Sequence, residues 1–304
     1  MHLDYYVLDV FTDRRLSGNP LAVVLDADGL DGAHMQAIAR EFNLSETIFV
    51  LKAENPAHTA RVRIFTPAAE LPFAGHPTVG CAALLAELRW PAVVNGGDAI
   101  VVLEEGIGAV RVGVRMRAGA APFAEFDAAK LPEEIAGALP PAERIGVALG
   151  LLPAEIGFEN HRPTRFAAGV GFTFVPVASL DAIAKARVVA QHWDGALKGQ
   201  GLTGAFLYCR RTVHTTSSFH ARMFAPDMGI IEDPATGSAA VAFAGVVHRF
   251  DALPDGGHKR MIEQGYEMGR PSHIALSLEV GGGKLHAVRI GGHAVRVAEG
   301  RIEV

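Results

Sequence analysis

Gly75-His76-Pro77-Thr78-Val79-Gly80-Cys81-Ala82-Ala83 lies over Glu232-Asp233-Pro234-Ala235-Thr236-Gly237-Ser238-Ala239-Ala240 at an offset of 157 residues, with Pro, Gly and both Ala in common. Upstream, Phe65-Thr66-Pro67 matches Phe224-Ala225-Pro226, and downstream Glu105-Gly106 matches Gln264-Gly265, both at an offset of 159. Three anchors in one order are hard to ascribe to composition. They predict two copies of one lobe, each reading strand, proline-bearing loop, small residues, helix. Two similar lobes imply a cleft between them, which is a common place for a ligand. The helices are expected near Pro77 to Leu88 and from Ser238 to about His248. Proline is tolerated where a helix starts, because that N–H has no intrahelical partner.

Working outward, Tyr5 to Phe11 and Leu21 to Leu25 read as strands around the turn Ser17-Gly18-Asn19-Pro20. Asp31 is placed to cap a helix whose Met35, Ile38, Ala39 and Phe42 recur at helical spacing. Strand patterns follow at Thr47 to Val50, Arg61 to Phe65, Val101 to Leu103 and Val110 to Val114. Residues 118–163 are rich in Ala, Pro and Gly, suit a change of lobe, and offer short helices around Pro132 to Ala138 and from Ala142. Beyond them come a strand at Phe172 to Pro176, a helix from Ser179 to Ala186, and a strand at Gly204 to Cys209. The tail from Ile274 alternates around glycine turns, with Gly281 to Gly283 as a hairpin. The expected division is an N-terminal lobe over 1–120 and a C-terminal lobe over 121–304, with the tail available to add a strand to the first.

The 304 residues suit two lobes, and 49% apolar content supplies their cores. A net charge of -5, with Lys and Arg never gathered beyond pairs, excludes a nucleic-acid partner as the natural reading. Cys81 and Cys209 are too few for a disulfide framework and favour a reducing compartment. No signal peptide pattern and no apolar run of membrane-spanning length stand out, so a cytoplasmic protein without a membrane partner is expected.

Few residues carry recognisable chemistry. The first-turn amides of the two helices, with small residues Thr78, Gly80, Gly237 and Ser238 admitting close approach, suit a carboxylate or developing negative charge. Glu46, in a break between helix and strand, fits either a general acid–base or a loop glutamate. His76 and Asp233 hold corresponding places in the two repeats, and each reads equally as a site residue or as a cap. No HExxH, paired-Cys, GxGxxG or P-loop pattern occurs, so neither a metal nor a nucleotide cofactor is expected. Ser238 lacks a G-x-S-x-G elbow. Both cysteines read as small buried hydrophobes, against a two-thiol racemase.

Taken together, Asp9-Val10-Phe11-Thr12, Gly18-Asn19-Pro20, Asn43-Leu44-Ser45-Glu46-Thr47, Gly75-His76-Pro77-Thr78, Glu232 to Ser238 and Gly269-Arg270-Pro271-Ser272 resemble the PhzF-like family of phenazine-biosynthesis isomerases over essentially the whole chain. The resemblance implies a diaminopimelate epimerase-like α/β (α+β) fold of two similar lobes, each a curved, mostly antiparallel sheet around a central helix. It implies a cofactor-independent isomerase that moves a proton on a small carboxylated metabolite, as in isomerisation of trans-2,3-dihydro-3-hydroxyanthranilate. Glu46 would be the acid–base residue, His76 and Asp233 its polar partners at the substrate, and Asn19, Ser45, Gly75, Gly237 and Ser238 substrate-binding positions. A homodimer is likewise expected from the family. A non-thiol epimerase or racemase, and a non-catalytic small-molecule binding protein, are the competing readings.

Overall fold

The computed structural model describes residues 1–91, 96–199 and 201–304. The chain divides into two compact units, 1–127 with 291–304, and 128–290. The change of unit therefore falls inside the Ala/Pro/Gly-rich middle, a little beyond residue 120, and the end of the tail belongs to the first unit.

Unit 1 is built on β1 (His2–Val10), β2 (Asn19–Val24), β3 (Glu46–Leu51), β4 (Ala60–Phe65), a two-residue β5 (Glu70–Leu71), β6 (Gly96–Glu105), β7 (Gly108–Arg117) and β8 (Phe123–Asp127). Helix α1 (Gly32–Phe42) links β2 to β3, and α2 (Gly75–Arg89) links β5 to β6. Unit 2 contains β9 (Glu133–Glu134), α3 (Ala142–Leu149), β10 (Thr164–Ala168), β11 (Val170–Pro176), α4 (Leu180–Lys185), α5 (Ala190–Ala196), β12 (Leu202–Cys209), β13 (Phe219–Ala225), β14 (Ile230–Asp233), α6 (Gly237–Phe250), β15 (Gly256–Gln264) and β16 (Ser272–Gly281). The last strand, β17 (Lys284–Glu303), starts in unit 2, and its later half pairs antiparallel with β1 in unit 1.

Pairing in the two units follows one pattern. In unit 1, β1–β2 is antiparallel, β2–β3 parallel, β3–β4 antiparallel, β4–β6 parallel and β6–β7 antiparallel. In unit 2 the same alternation runs β10–β11, β11–β12, β12–β13, β13–β15 and β15–β16. The register repeats as well. Ala60 pairs with Leu103 where Phe219 pairs with Ile262, each shifted by 159. Hydrogen bonds repeat at the same offset (54 to 213, 55 to 214, 104 to 263). The amides of Glu54 and Asn55 donate to the Glu104 carboxylate at 2.8 Å each, and those of Val213 and His214 donate to Glu263 at 2.5 and 3.1 Å. The duplication seen in the sequence is thus one of backbone topology.

Each unit's sheet closes around an apolar helix. Every residue of α2 from Gly75 to Ala86 is buried, and it touches β1, β2, β3, β6, β7 and β8. A helix covered on all sides must be apolar all round. Gly80 shows how close the packing is, because a Cβ there would lie 2.6 Å from Leu21 Cδ2 and 2.7 Å from Val10 Cγ2. Its role is therefore close approach of the sheet, not access for a ligand. In unit 2, α6 presents Phe243 to Tyr208 and Phe219, with ring centroids 4.7 and 4.9 Å away. The outer face of the unit 1 sheet is covered by α1, whose Met35, Ile38 and Ala39 join Val24, Phe49, Leu51 and Phe65. Asp31 caps that helix through the His34 amide at 2.9 Å, and Ser179 caps α4 through Ala182 at 3.1 Å.

The expected helix around Pro132 to Ala138 does not form. Glu133 and Glu134 pair with Ala167 and Phe166 instead. Pro132 and Gly137, the latter at φ 133, leave too short a run for helical hydrogen bonding, whereas β10 offers an edge. At the far end, Gly282 and Gly283, at φ 55 and 70, reverse the chain between β16 and β17. Since α2 has no slack at Gly80, Gly80→Val is expected to destabilise the protein by about 1–3 kcal/mol through overpacking, measured by urea unfolding.

Candidate functional site

In unit 1 the candidate residues gather where β2, β3 and α2 begin. Gly18, at φ 66, has no room for a Cβ, which would lie 2.3 Å from Val10 O. This tight turn delivers Asn19, wholly buried, to the first position of β2 opposite Val10. Asn43 ends α1 in the left-handed region at φ 50, and Ser45, half-buried, leads into β3. Glu46 is the first residue of that strand and pairs with Leu21. It is thus a strand residue fixed by a parallel ladder, not a loop glutamate. Gly75 and His76, both buried, are the first two residues of α2.

These elements bring Glu46 and His76 into contact, with His76 Nδ1 3.4 Å from Glu46 Oε2 and side-chain exposures of 5% and 14%. Burial drives the imidazole pKa down from 6.5 to about 3, opposed in part by a backbone hydrogen bond at Pro20. The ring is therefore neutral at physiological pH, and the pair is a carboxyl group beside an uncharged imidazole, not an ion pair. His76 Nε2 is buried without a hydrogen-bond partner among the described residues. A buried polar atom in that condition is costly.

Unit 2 has its own cluster at the start of α6. Asp233 is the last residue of β14, and its Oδ2 accepts from Thr236 Oγ1 at 2.6 Å. Thr236 stands at the N-cap without capping through its own side chain, and Gly237 and half-buried Ser238 open the helix. The first-turn amides of such a helix have no intrahelical acceptors. Gln264, at the end of β15, holds this segment: its Nε2 donates to Asp233 O at 2.7 Å and lies 3.1 Å from Thr236 Oγ1, while its Oε1 accepts from Thr236 N at 3.2 Å.

The starts of α2 and α6 are not superposable residue for residue. His76 lies inside the first turn of α2, whereas Asp233 precedes α6 at a strand end, so their alignment at offset 157 reflects sequence and not position along the helix. Thr78 is also not a ligand-facing residue. It is fully buried, donates to Ala74 O at 2.8 Å, and sits 2.8 Å from Glu105 Oε1.

Strand equivalence exposes a further asymmetry. Register places Gly204 of β12 where β3 has Glu46, since Thr47 pairs with Phe65 as Ala205 pairs with Phe224. At Gly204 a Cβ would lie 2.3 Å from Phe224 O, so no side chain fits. The duplicated scaffold carries its carboxylate once. Both thiols are buried, with pKa values raised mainly by desolvation, that of Cys209 to about 12. Neither supplies a thiolate. Among the described residues no three His, Cys, Asp or Glu side chains form a group able to hold a metal ion, and no helix is long and apolar enough to cross a membrane.

Residues 8–300 match the model of the phenazine biosynthesis-like protein family. An uncharacterized isomerase of Mesorhizobium japonicum is 55% identical over 302 residues, covering 98% of both chains. The trans-2,3-dihydro-3-hydroxyanthranilate isomerase of Pseudomonas aeruginosa is 36% identical, again over 98% of each. Among solved structures, the PhzF-family phenazine biosynthesis protein of Bacillus anthracis superposes over the full length of both chains with a TM-score of 0.88 at 26% identity. The two-unit architecture and these full-length similarities agree: the chain belongs to the PhzF-like family of isomerases, with the diaminopimelate epimerase-like fold.

Proposed function

We propose that this isomerase moves a proton between two carbons of a small carboxylated metabolite, of the class of trans-2,3-dihydro-3-hydroxyanthranilate, with Glu46 as its one acid–base residue. The contact between Glu46 and a neutral His76 carries the reading. A carboxylate takes a proton from carbon and, once protonated, returns it to a second carbon on the same face. Such a shuttle needs one base. The glycine at the duplicated position, and the protonated thiols, favour it over an epimerisation that needs an acid and a base on opposite faces.

His76, uncharged, serves by hydrogen bonding. It orients Glu46 or a substrate oxygen without presenting a cation to the developing negative charge. Asn19, Ser45 and Gly75 line the same corner of unit 1. In unit 2, Asp233 and the first turn of α6 at Gly237 and Ser238 are proposed as positions for polar and carboxylate groups of a ligand, as helix N-termini are. No cofactor enters any of these steps.

Proton NMR of trans-2,3-dihydro-3-hydroxyanthranilate in D₂O tests the assignment. Wild-type protein is expected to isomerise it, and Glu46→Gln to turn over roughly 100- to 10,000-fold more slowly, the range that general acid–base groups contribute. Full turnover by Glu46→Gln would remove Glu46 from the mechanism, whereas an inert wild type would send the search to other small carboxylates.

The neutral state of His76 has its own signature. The unfolded chain binds a proton at this residue below about pH 6.5 and the folded chain only near pH 3, so its burial costs stability progressively as pH falls through that window. Going from pH 7 to pH 5, His76→Gln should therefore gain about 2 kcal/mol relative to wild type, at 1.36 kcal/mol for each pH unit below 6.5. Urea unfolding at the two pH values measures it, and parallel curves would place the imidazole elsewhere than in a dry site.

A further inference from the structure

The end of β6 carries a group that the chemistry above does not use. Glu105 is buried beneath the first turn of α2, and its Oε1 lies 2.8 Å from Thr78 Oγ1. Thr78 Oγ1 lies equally close to the Ala74 carbonyl, also at 2.8 Å. A threonine hydroxyl has one proton, and a carbonyl oxygen only accepts. Both contacts are made at once when Thr78 donates to Ala74 and a protonated Glu105 donates to Thr78; in the reverse arrangement Thr78 donates to a Glu105 carboxylate and Ala74 O keeps only the Thr78 amide, at 3.2 Å. Desolvation favours the first arrangement, raising the Glu105 pKa to about 8 against the lowering that a hydrogen bond from Thr78 brings. Its Oε2 has no hydrogen-bond partner among the described residues, a poor setting for a full charge.

The duplicated unit shows what this position does. At the offset of 159 that relates β6 to β15, Glu105 corresponds to Gln264. Gln264 cannot ionise, and it donates to the chain that leads into α6, at Asp233 O and toward Thr236 Oγ1. In both units, then, a strand-end side chain reaches the start of the central helix and is hydrogen-bonded to it. In unit 1 the residues bracketed by that tie, Ala74 to Thr78, include Gly75 and His76.

We propose that Glu105 is a positioning residue for the Glu46–His76 pair, acting as a neutral acid that fixes the first turn of α2 through Thr78 as Gln264 fixes the start of α6. The groups around it allow this. From α2 it faces the protonated thiol of Cys81. On its own strand Glu104 is occupied by two amides and by His58. Arg61 and Arg63 of β4 are engaged by Glu54 and Glu70. No cation among these residues is paired with Glu105 to hold it ionised. Above its titration the Thr78 tie would set a carboxylate in a dry pocket, and the first turn of α2 would loosen.

The proposal deepens the isomerase reading and rests on it for the word positioning, so the test keeps the two separable. Wild type, Glu105→Gln and Glu105→Ala are compared by thermal unfolding from pH 5 to pH 8, by ring ¹H–¹⁵N NMR of His76, and by turnover of trans-2,3-dihydro-3-hydroxyanthranilate. A carboxyl protonated in the folded state and ionised in the unfolded state loses stability as pH rises from about 4.5 to about 8. The Tm of Glu105→Gln should accordingly rise above that of wild type by a margin that widens toward pH 8. His76 resonances should stay in place in Glu105→Gln and move in Glu105→Ala. Turnover of Glu105→Gln should remain within about twofold of wild type at pH 6. Glu105→Ala should lose roughly tenfold or more in kcat with little change in KM, since displacement by about 1 Å costs on the order of 100-fold. A Tm difference independent of pH, or His76 resonances unmoved in Glu105→Ala, would overturn the proposal. An inert wild type would count against the substrate alone, because the first two readouts need no turnover.

Discussion

Burying a helix on every side is the constraint from which the rest of each unit follows. An α-helix inside a curved sheet has little solvent at its first turn, yet that turn carries amides without intrahelical partners. Apolar packing cannot satisfy them, so side chains from the surrounding strands must. Gln264 does so beneath α6, accepting from the Thr236 amide, and Glu105, at the same strand position in the other copy of the topology, meets the Thr78 hydroxyl beneath α2. The small residues follow from the same constraint. Gly80 lets β1 and β2 touch the helix, and the alanines around it keep the cylinder narrow.

Duplication gives two buried helix N-termini, and divergence gives them different work. Unit 1 has a carboxylate at the start of β3 and an imidazole in the first turn of α2. Unit 2 has glycine at the matching strand position, and its polar residue lies before the helix, on β14. Gly204 is held as glycine by the Phe224 carbonyl, so a second carboxylate at that point would require the backbone to move. The asymmetry is therefore fixed in the packing: one scaffold position carries a carboxyl group and its twin is barred from carrying another.

Much of this is legible in the residues. The offset repeat announces the duplicated fold, Asp31 and Ser179 announce their caps, and the Ala-rich stretches after Pro77 and Gly237 announce the central helices. The exceptions share a cause. Local propensity favours a helix over Pro132 to Ala138, and the neighbouring strand β10 decides otherwise. Thr78 and Gly80 look like residues that admit a ligand, but both face the sheet, a distinction that depends on which way a buried helix is turned. Glu46 is legible as a titratable residue in a break, but its contact with His76 depends on a parallel pairing that no local pattern encodes. Glu105 and Gln264 appear in the sequence only as an alignment anchor. That a Glu stands opposite a Gln is visible there, whereas its meaning needs the Thr78 hydroxyl with its single proton and two neighbours.

The two buried neutral groups contribute opposed pH dependences to stability. His76 costs stability increasingly as pH falls below about 6.5, and Glu105 increasingly as pH rises above about 4.5. Between those values a one-unit change alters the two costs by equal amounts of opposite sign, about 1.4 kcal/mol each. The pair therefore contributes almost no net slope between roughly pH 4.5 and 6.5, although each member taken alone contributes a steep one. A flat stability profile in that range is what two opposed buried neutral groups produce. Removing either group uncovers the slope of the other. A flat profile at this corner would thus be a balance between an uncharged imidazole in the first turn of α2 and an uncharged acid beneath it.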